Sequence, residues 1–306
     1  MFNTATDLPD DAEARIGRLV AAIDPARPVL IAGPTAAGKS ALALRIAQAI
    51  GATVVNADAL QVWSCWRVLT ARPSAADEAA APHLLYGHVA PGCGYSVGDW
   101  LAEVAQLRGR GGPLVIAGGT GLYLTALTSG LAVIPPVPPA IRAEADAWLA
   151  RGGLAGMVAA LDARTRAGLD LRNPARVQRA WEVLRATGRG LADWQAETPP
   201  PLIAPEEAQR FVLQMDRDRL ADRIAARFDA MLRQGALDEV RRMLRAWRAD
   251  AQWTRAIGAA ELKDHLEGRA TLAEARDRAV IATRQYAKSQ RIWFRNRMRD
   301  WTIVPM

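Results

Sequence analysis

Residues 33–40 read Gly-Pro-Thr-Ala-Ala-Gly-Lys-Ser, a glycine-rich turn closed by a lysine and a hydroxyl. That spacing makes a P-loop: backbone N–H groups and a helix N-terminus cradle a phosphate, the lysine adds a point charge, and the hydroxyl reaches Mg²⁺. Gly33, Pro34, Thr35, Ala36, Ala37, Gly38, Lys39 and Ser40 are the candidate diphosphate or nucleotide site, with Ser40 the candidate metal ligand. The amides of Ala36 to Ser40 are expected to converge on one pyrophosphate. A carboxylate follows at Asp58, in the stretch VVNADALQ over residues 54–61. It closes an expected strand, on the edge where a parallel sheet binds its ligands. A phosphate cradle faced by a carboxylate suits the displacement or transfer of a phosphorylated group. Asp58 can act there as a base, can hold metal-bound water, or can simply cap a turn.

The neighbouring segments supply the frame. Residues 28–32 (PVLIA) form a short apolar strand, and residues 40–50 (SALALRIAQAI) have helical periodicity, so the loop sits between strand and helix. Residues 53–57 and 113–117 (PLVIA) are the next strands. An ATP-hydrolysing site needs an acid at the end of such a second strand to organise Mg²⁺ and water. Here the strand runs into Gly118-Gly119-Thr120-Gly121, which argues against hydrolysis. The proline-rich stretches IPPVPP (134–139) and ETPPPLIAP (197–205) bracket a segment whose pattern is helical from Ala140 to Gly188. Residues 207–214 are expected to return as a strand, with helices from Arg217 onward. The resulting division is an extension over 1–26, a core over 27–134, a helical insertion over 135–204 and the rest of the core over 205–306. The expected fold class is α/β: a P-loop NTPase-like parallel sheet core with a mostly helical insertion domain and a helical C-terminal part.

Composition narrows the setting. The chain has 306 residues, 50% hydrophobic, enough to bury a large core in two units. It lacks any apolar run long enough for a membrane span. The acidic N-terminal stretch has no apolar signal core, and Cys65 and Cys93 follow no metal spacing, which fits a reducing cytoplasm. Charge is uneven: residues 206–306 carry 21 Lys and Arg against 15 Asp and Glu, whereas residues 1–131 carry 9 against 10. Residues 283–299 hold six basic residues and no acid. Arg284, Lys288, Arg291 and Arg295 are spaced to lie along one helical face, with Tyr286, Trp293 and Phe294 interleaved. A basic, aromatic-studded helix suits a polyphosphate backbone with bases to stack on. Arg284, which opens this stretch, is expected to face the active site.

In their order these motifs resemble the tRNA dimethylallyltransferases. The resemblance covers roughly residues 27–296 and rests on GPTAAGKS, NADALQV, TARP at 70–73, YSVGDW at 95–100, AGGTGLYL at 117–124, RVQRAWEV at 176–183, DRDRLADRI, and ATRQYAKSQRIWFR at 282–295. It implies that the P-loop holds the diphosphate of dimethylallyl diphosphate while the exocyclic amine of an adenosine beside the tRNA anticodon attacks the allylic carbon. Asp58 matches the general base, Lys39 a partner of the leaving pyrophosphate with Mg²⁺, and Thr120 a residue near the reacting amine. Arg223 is the further diphosphate candidate. On the RNA side, Asp58, Ala59, Leu60, Gln61 and Thr120 match the stretch facing the target nucleotide. Arg142 with Ala175, Arg176, Val177, Gln178 and Arg179 match contacts to the anticodon stem-loop, and Arg284, Lys288, Arg291 and Arg295 add to them. The expected location is the cytoplasm and the expected form a monomer. Ala59, Leu69, Leu84, Ala175, Ser289 and the pair Ala259-Ala260 depart from the usual pattern.

Overall fold

The computed structural model describes residues 10–306. The expected N-terminal extension lies partly outside these; its described part begins as the helix Asp10–Ala21. The chain forms two compact units, one running up to Thr128 and resuming over Ile203–Met306, the other spanning Ser129–Leu202.

The first unit is built on a six-stranded, wholly parallel sheet. Its strands are β1 (Val29–Ala32), β2 (Thr53–Asn56), β3 (His83–Leu84), β4 (Leu114–Gly118), β5 (Gln209–Gln214) and β6 (Thr302–Pro305), in the order β3-β2-β4-β1-β5-β6. The two central strands β1 and β4 are buried at every residue, as a parallel sheet covered on both faces requires. The strand expected over 207–214 is β5, paired with β1. Two further strands had no periodic signal. β3 is two residues long, and β6 lies beyond the long basic helix Leu272–Arg297. The helix Lys39–Ile50 follows the loop after β1. Gly38, at φ 96°, sets its first turn in a conformation that a side chain would strain.

In the second unit, the helical pattern of Ala140 to Gly188 is not one run. It resolves into Pro139–Ala150, Leu154–Ala160, Ala163–Gly168 and Pro174–Thr187, with Leu191–Ala196 beyond. The breaks have local causes. Gly152 adopts a positive φ, Asp162 accepts the Thr165 N–H as an N-cap, and Asn173 caps a helix with Pro174 at its first position. Ala145, Met157, Val177, Ala180 and Trp181 form this unit's own core, with Trp148 edge-on to Trp181 at 5.3 Å.

The chain leaves and rejoins the first unit at adjacent points, because the Ile203 N–H donates to the Leu127 carbonyl at 3.1 Å. Replacing residues 130–201 with a flexible Gly/Ser linker of about six residues should therefore leave the first unit folded. Circular dichroism should show one cooperative thermal transition, and inorganic pyrophosphate should still bind. Loss of cooperative unfolding would show that the first unit needs the second.

Candidate active site

A cleft opens beside the carboxyl ends of β1, β2 and β4. Thr35, Ala36, Lys39 and Ser40 line one wall. Lys39 Nζ folds back to the Pro34 carbonyl at 2.8 Å, and Ala36 sits at φ 63°. Not every loop amide is open to a ligand. The Thr35 N–H donates to Gln290 Oε1 at 2.9 Å, and the Ala37 N–H to the Pro34 carbonyl at 3.3 Å. Ala37 therefore leaves the expected set of converging amides.

Asp58 enters the cleft from just past β2. One of its carboxylate oxygens, Oδ1, accepts the Leu60 N–H at 3.0 Å, which fixes the side chain in a turn. The Ala59 N–H donates to Thr120 Oγ1 at 2.9 Å, so Thr120 acts on the backbone next to Asp58. Gln61 lines the cleft, but both hydrogens of its amide are directed at the carbonyls of Thr70 and Ala71, at 2.8 and 3.2 Å. Its Oε1 is left to accept.

The glycines after β4 acquire a reason in the structure. A Cβ on Gly118 would stand 2.0 Å from the Ala57 carbonyl oxygen, one on Gly119 2.4 Å from Gln290 Nε2, and one on Gly121 2.2 Å from Trp293. Gly118 lets β2 approach, and Gly119 and Gly121 are a docking surface for the helix Leu272–Arg297. Gln290, buried in that helix, also donates Nε2–H to the Gly119 carbonyl at 2.9 Å. Tyr286, one turn before it, lines the cleft, with Thr120 and Gln290 beside its hydroxyl. Burial and the nearby Asp58 push the Tyr286 phenol well above its ordinary value, so it stays protonated.

Two cations face Asp58. Burial lowers Lys39 to about 8, against the pull of Asp58 and with the help of Arg227. Arg227 lines the same cleft; burial holds its guanidinium below the usual value, opposed by Asp58. Arginine does not lose its proton at working pH, so this marks a desolvated cation in want of an anion. Arg227 carried no motif in the sequence. The signal was there in the spacing Arg223-x-x-x-Arg227 on one helix, Arg217–Arg233, but sequence could not say which of the two turns faces the cleft. Arg223, the expected diphosphate contact, lies on the far side of the loop. Its Nε donates to the Ala36 carbonyl at 3.0 Å and it borders a separate cavity, so it braces the cradle from behind. Besides the charges, Leu69, Ile224, Phe228, Met231 and Ile257 give the cleft an apolar lining.

The expected RNA contacts sort by exposure. In the second unit Arg142, Ala175, Arg176 and Arg179 are exposed. Gln178 is half-buried and donates to Asp146 at 2.6 Å and Glu182 at 3.1 Å. Val177 is fully buried in that unit's core, which removes its side chain from the contact set. On the basic helix Arg284, Lys288 and Arg295 are exposed, and Arg291 is half-buried with its charge felt by Asp216. Arg284 therefore points to solvent. Thr283, Tyr286 and Gln290, on the neighbouring stripe of the same helix, face inward in its place.

Comparison with known proteins follows this geometry. The family model described as IPP transferase matches residues 61–297, and one described as isopentenyl transferase matches residues 27–82. The tRNA dimethylallyltransferase of Paracoccus denitrificans is 68% identical over 292 residues, covering 94% of this chain and 97% of its own. That of Cereibacter sphaeroides (strain ATCC 17029) is 60% identical over 299 residues, covering 98% and 91%. Among solved structures, the full-length tRNA isopentenylpyrophosphate transferase of Bacillus halodurans superposes with a TM-score of 0.65 at 30% identity, over 92% of this chain and 90% of that one. A eukaryotic dimethylallyltransferase acting on tRNA gives a TM-score of 0.77 over 91% and 74%; at 22% identity it speaks to the fold alone.

The position of Lys39 generates a pH dependence. A bound diphosphate favours the protonated lysine and raises its value above the free site's figure of about 8. Binding in that window takes up a proton. Affinity for an organic diphosphate should be level below about pH 8 and fall by up to about tenfold per pH unit above it, until the bound-state value is passed. Calorimetry in buffers of different ionisation enthalpy should show proton uptake near pH 8.5 that Lys39→Met abolishes. Uptake that persists in Lys39→Met would assign the proton to another group.

Proposed function

The chain belongs to the IPP transferase family, and we propose that it transfers a dimethylallyl group from dimethylallyl diphosphate to the exocyclic amine of the adenosine 3′ of the anticodon in tRNA, releasing pyrophosphate. The observation that carries this reading is the composition of the cleft. Lys39, Ser40 and Arg227 line it together with Leu69, Phe228, Met231 and Ile257, so cationic and apolar groups share one cleft. That is the complement of an anionic head on a short branched hydrocarbon.

In the reaction, the amine nitrogen forms a bond to the allylic carbon as that carbon's bond to the diphosphate oxygen breaks. The bonding electrons leave with pyrophosphate. Charge gathers on the leaving group, where Lys39, Arg227 and the open loop amides oppose it. The attacking nitrogen becomes cationic and loses its proton to Asp58, whose turn with Leu60 and neighbouring bond to Thr120 hold it at the carboxyl end of β2. Tyr286, kept protonated, offers a neutral hydroxyl beside it.

Mg²⁺ fits the donors present. Among the described residues no three His, Cys, Asp or Glu gather as a metal cage, while the Ser40 hydroxyl lines the cleft at the head of its helix. A hard hydroxyl oxygen next to a phosphate site is what Mg²⁺ takes, with phosphate oxygens and water completing the shell. Bound there, it would neutralise charge on the departing pyrophosphate. The RNA reading is supported by the names of the relatives, by the exposed Arg284, Lys288 and Arg295, and by the exposed arginines of the second unit. Monomeric action is part of the same proposal.

Mass analysis of tRNA after incubation with dimethylallyl diphosphate and Mg²⁺ should show one added five-carbon unit, with ATP absent; ATP turnover without prenylated RNA would sink the reading. Asp58→Asn keeps the hydrogen bond to Leu60 but cannot take the proton. Its single-turnover rate should fall by about 10²–10⁴, with diphosphate affinity within a few-fold. Loss of diphosphate affinity at unchanged chemistry would make Asp58 a metal-site residue instead.

Changing Lys288, Arg291 and Arg295 together to Gln should weaken tRNA binding and flatten the slope of log affinity against log salt by roughly 2 to 3 units. Dimethylallyl diphosphate binding should hold. A folded variant with an unchanged slope would return this face to ordinary solvation.

A further inference from the structure

Asn56 is the last residue of β2, and its side chain is fully buried. A buried carboxamide must place its two donors and its acceptor, or it destabilises the fold. Asn56 places all of them on the walls of the cleft. Its Oδ1 accepts the Asp58 N–H at 2.8 Å. Its Nδ2 donates to the Asp58 carbonyl at 2.9 Å and to the Leu85 carbonyl at 2.9 Å. Its own backbone carbonyl accepts the indole N–H of Trp100 at 2.6 Å. Trp100 is fully buried in turn and stacks on Tyr123 at 4.6 Å between ring centroids.

Nothing in the chemistry of the cleft uses Asn56 directly, since it lines no part of it. Yet it clasps the backbone of Asp58 from both sides, at its N–H and at its C=O. The same amide group holds Leu85, a non-glycine residue at φ 63°, a conformation that L-residues rarely adopt. The next residue, Tyr86, lines the cleft within the field of Asp58. The helix that carries Trp100, Val97–Gly109, is fixed at its start by reciprocal bonds between Ser96 and Asp99. This gives the stretch YSVGDW a purpose that its composition did not reveal: Ser96 and Asp99 start the helix, Trp100 grips Asn56, and Asn56 grips Asp58.

We propose that Asn56 is the positioning residue of the proton-accepting carboxylate. It holds the Asp58 backbone and the Leu85–Tyr86 turn in one rigid frame, so that the carboxylate meets the substrate amine at reacting distance. The proposal rests on the reading of Asp58 as the base. It requires that Asn56 act on the rate only through Asp58, without touching diphosphate or RNA.

The test is a double-mutant cycle in single-turnover prenyl transfer to tRNA, using the full-length chain. Asn56→Ala should slow the reaction roughly 10- to 100-fold, the scale of a displaced catalytic group, and leave dimethylallyl diphosphate affinity within about twofold. In the Asp58→Asn background the same change should cost nothing further, because there is no base left to misplace. A loss that multiplies that of Asp58→Asn would overturn the proposal. A fall in diphosphate affinity matching the fall in rate would also overturn it, by showing a general loss of structure. Should Asn56→Ala fail to fold, Trp100→Phe keeps an aromatic ring at Tyr123, removes the indole N–H together with part of the ring volume, and decides the matter in the same cycle. Failure of the underlying reading looks different: Asp58→Asn alone would then keep a near-normal rate.

Discussion

The carboxamide of Gln290 ties three parts of this protein that are far apart in the chain. It accepts the Thr35 amide of the phosphate loop and donates to the Gly119 carbonyl after β4, from a helix that begins at Leu272. Both bonds are sheltered from water, so each is worth keeping and costly to leave unmade. The tie sets where the long helix lies. That placement brings Thr283 and Tyr286 to the cleft wall and turns Arg284, Lys288 and Arg295 outward. One helix thus serves the reaction centre with one stripe and offers charge to a partner with the next, a division that a 3.6-residue period makes possible.

The glycines after β4 follow from the same constraint. In an NTP-hydrolysing site this strand end carries a carboxylate. Here it carries close backbone approach, to Ala57 at Gly118, to Gln290 at Gly119 and to Trp293 at Gly121. Among the described residues Asp58 is the one carboxylate that lines the cleft, among cations and protonated phenols. Tyr86, Tyr123 and Tyr286 are all pushed upward by burial and by Asp58. Such a site is poor at activating water beside a γ-phosphate and well suited to taking one proton from a weak nucleophile while anionic charge departs.

Local pattern carried the parts of the molecule that local forces make. The strand, loop and helix of residues 28–50 were legible because a buried apolar run, two glycines and a good helix former each act over a few residues. The strand of 113–117 and the return of β5 were legible for the same reason. The prolines of 134–139 and 197–205 marked where regular structure stops, and the second compact unit spans Ser129–Leu202. Four of its five helices share the single helical pattern of 140–188, because helical periodicity persists across Gly152, Asp162 and Asn173 while the backbone turns at each.

Sequence alone determined the chemistry available: a lysine and hydroxyl on a phosphate loop, one carboxylate across from them, no acid after the second strand, and a basic helical stripe. Tertiary structure decided which residues do the work. It puts Arg227 on the cleft wall and Arg223 against the Ala36 carbonyl, since two arginines one turn apart have the same local signature and only packing against the loop separates them. It buried Val177 and exposed Arg284, since the phase of a helix is fixed by what it docks on. It gave Asn56, Trp100 and Gln290 their roles, since each makes hydrogen bonds to backbone 29, 44 and 255 residues away respectively, and such long-range bonds leave no period in the chain to be read.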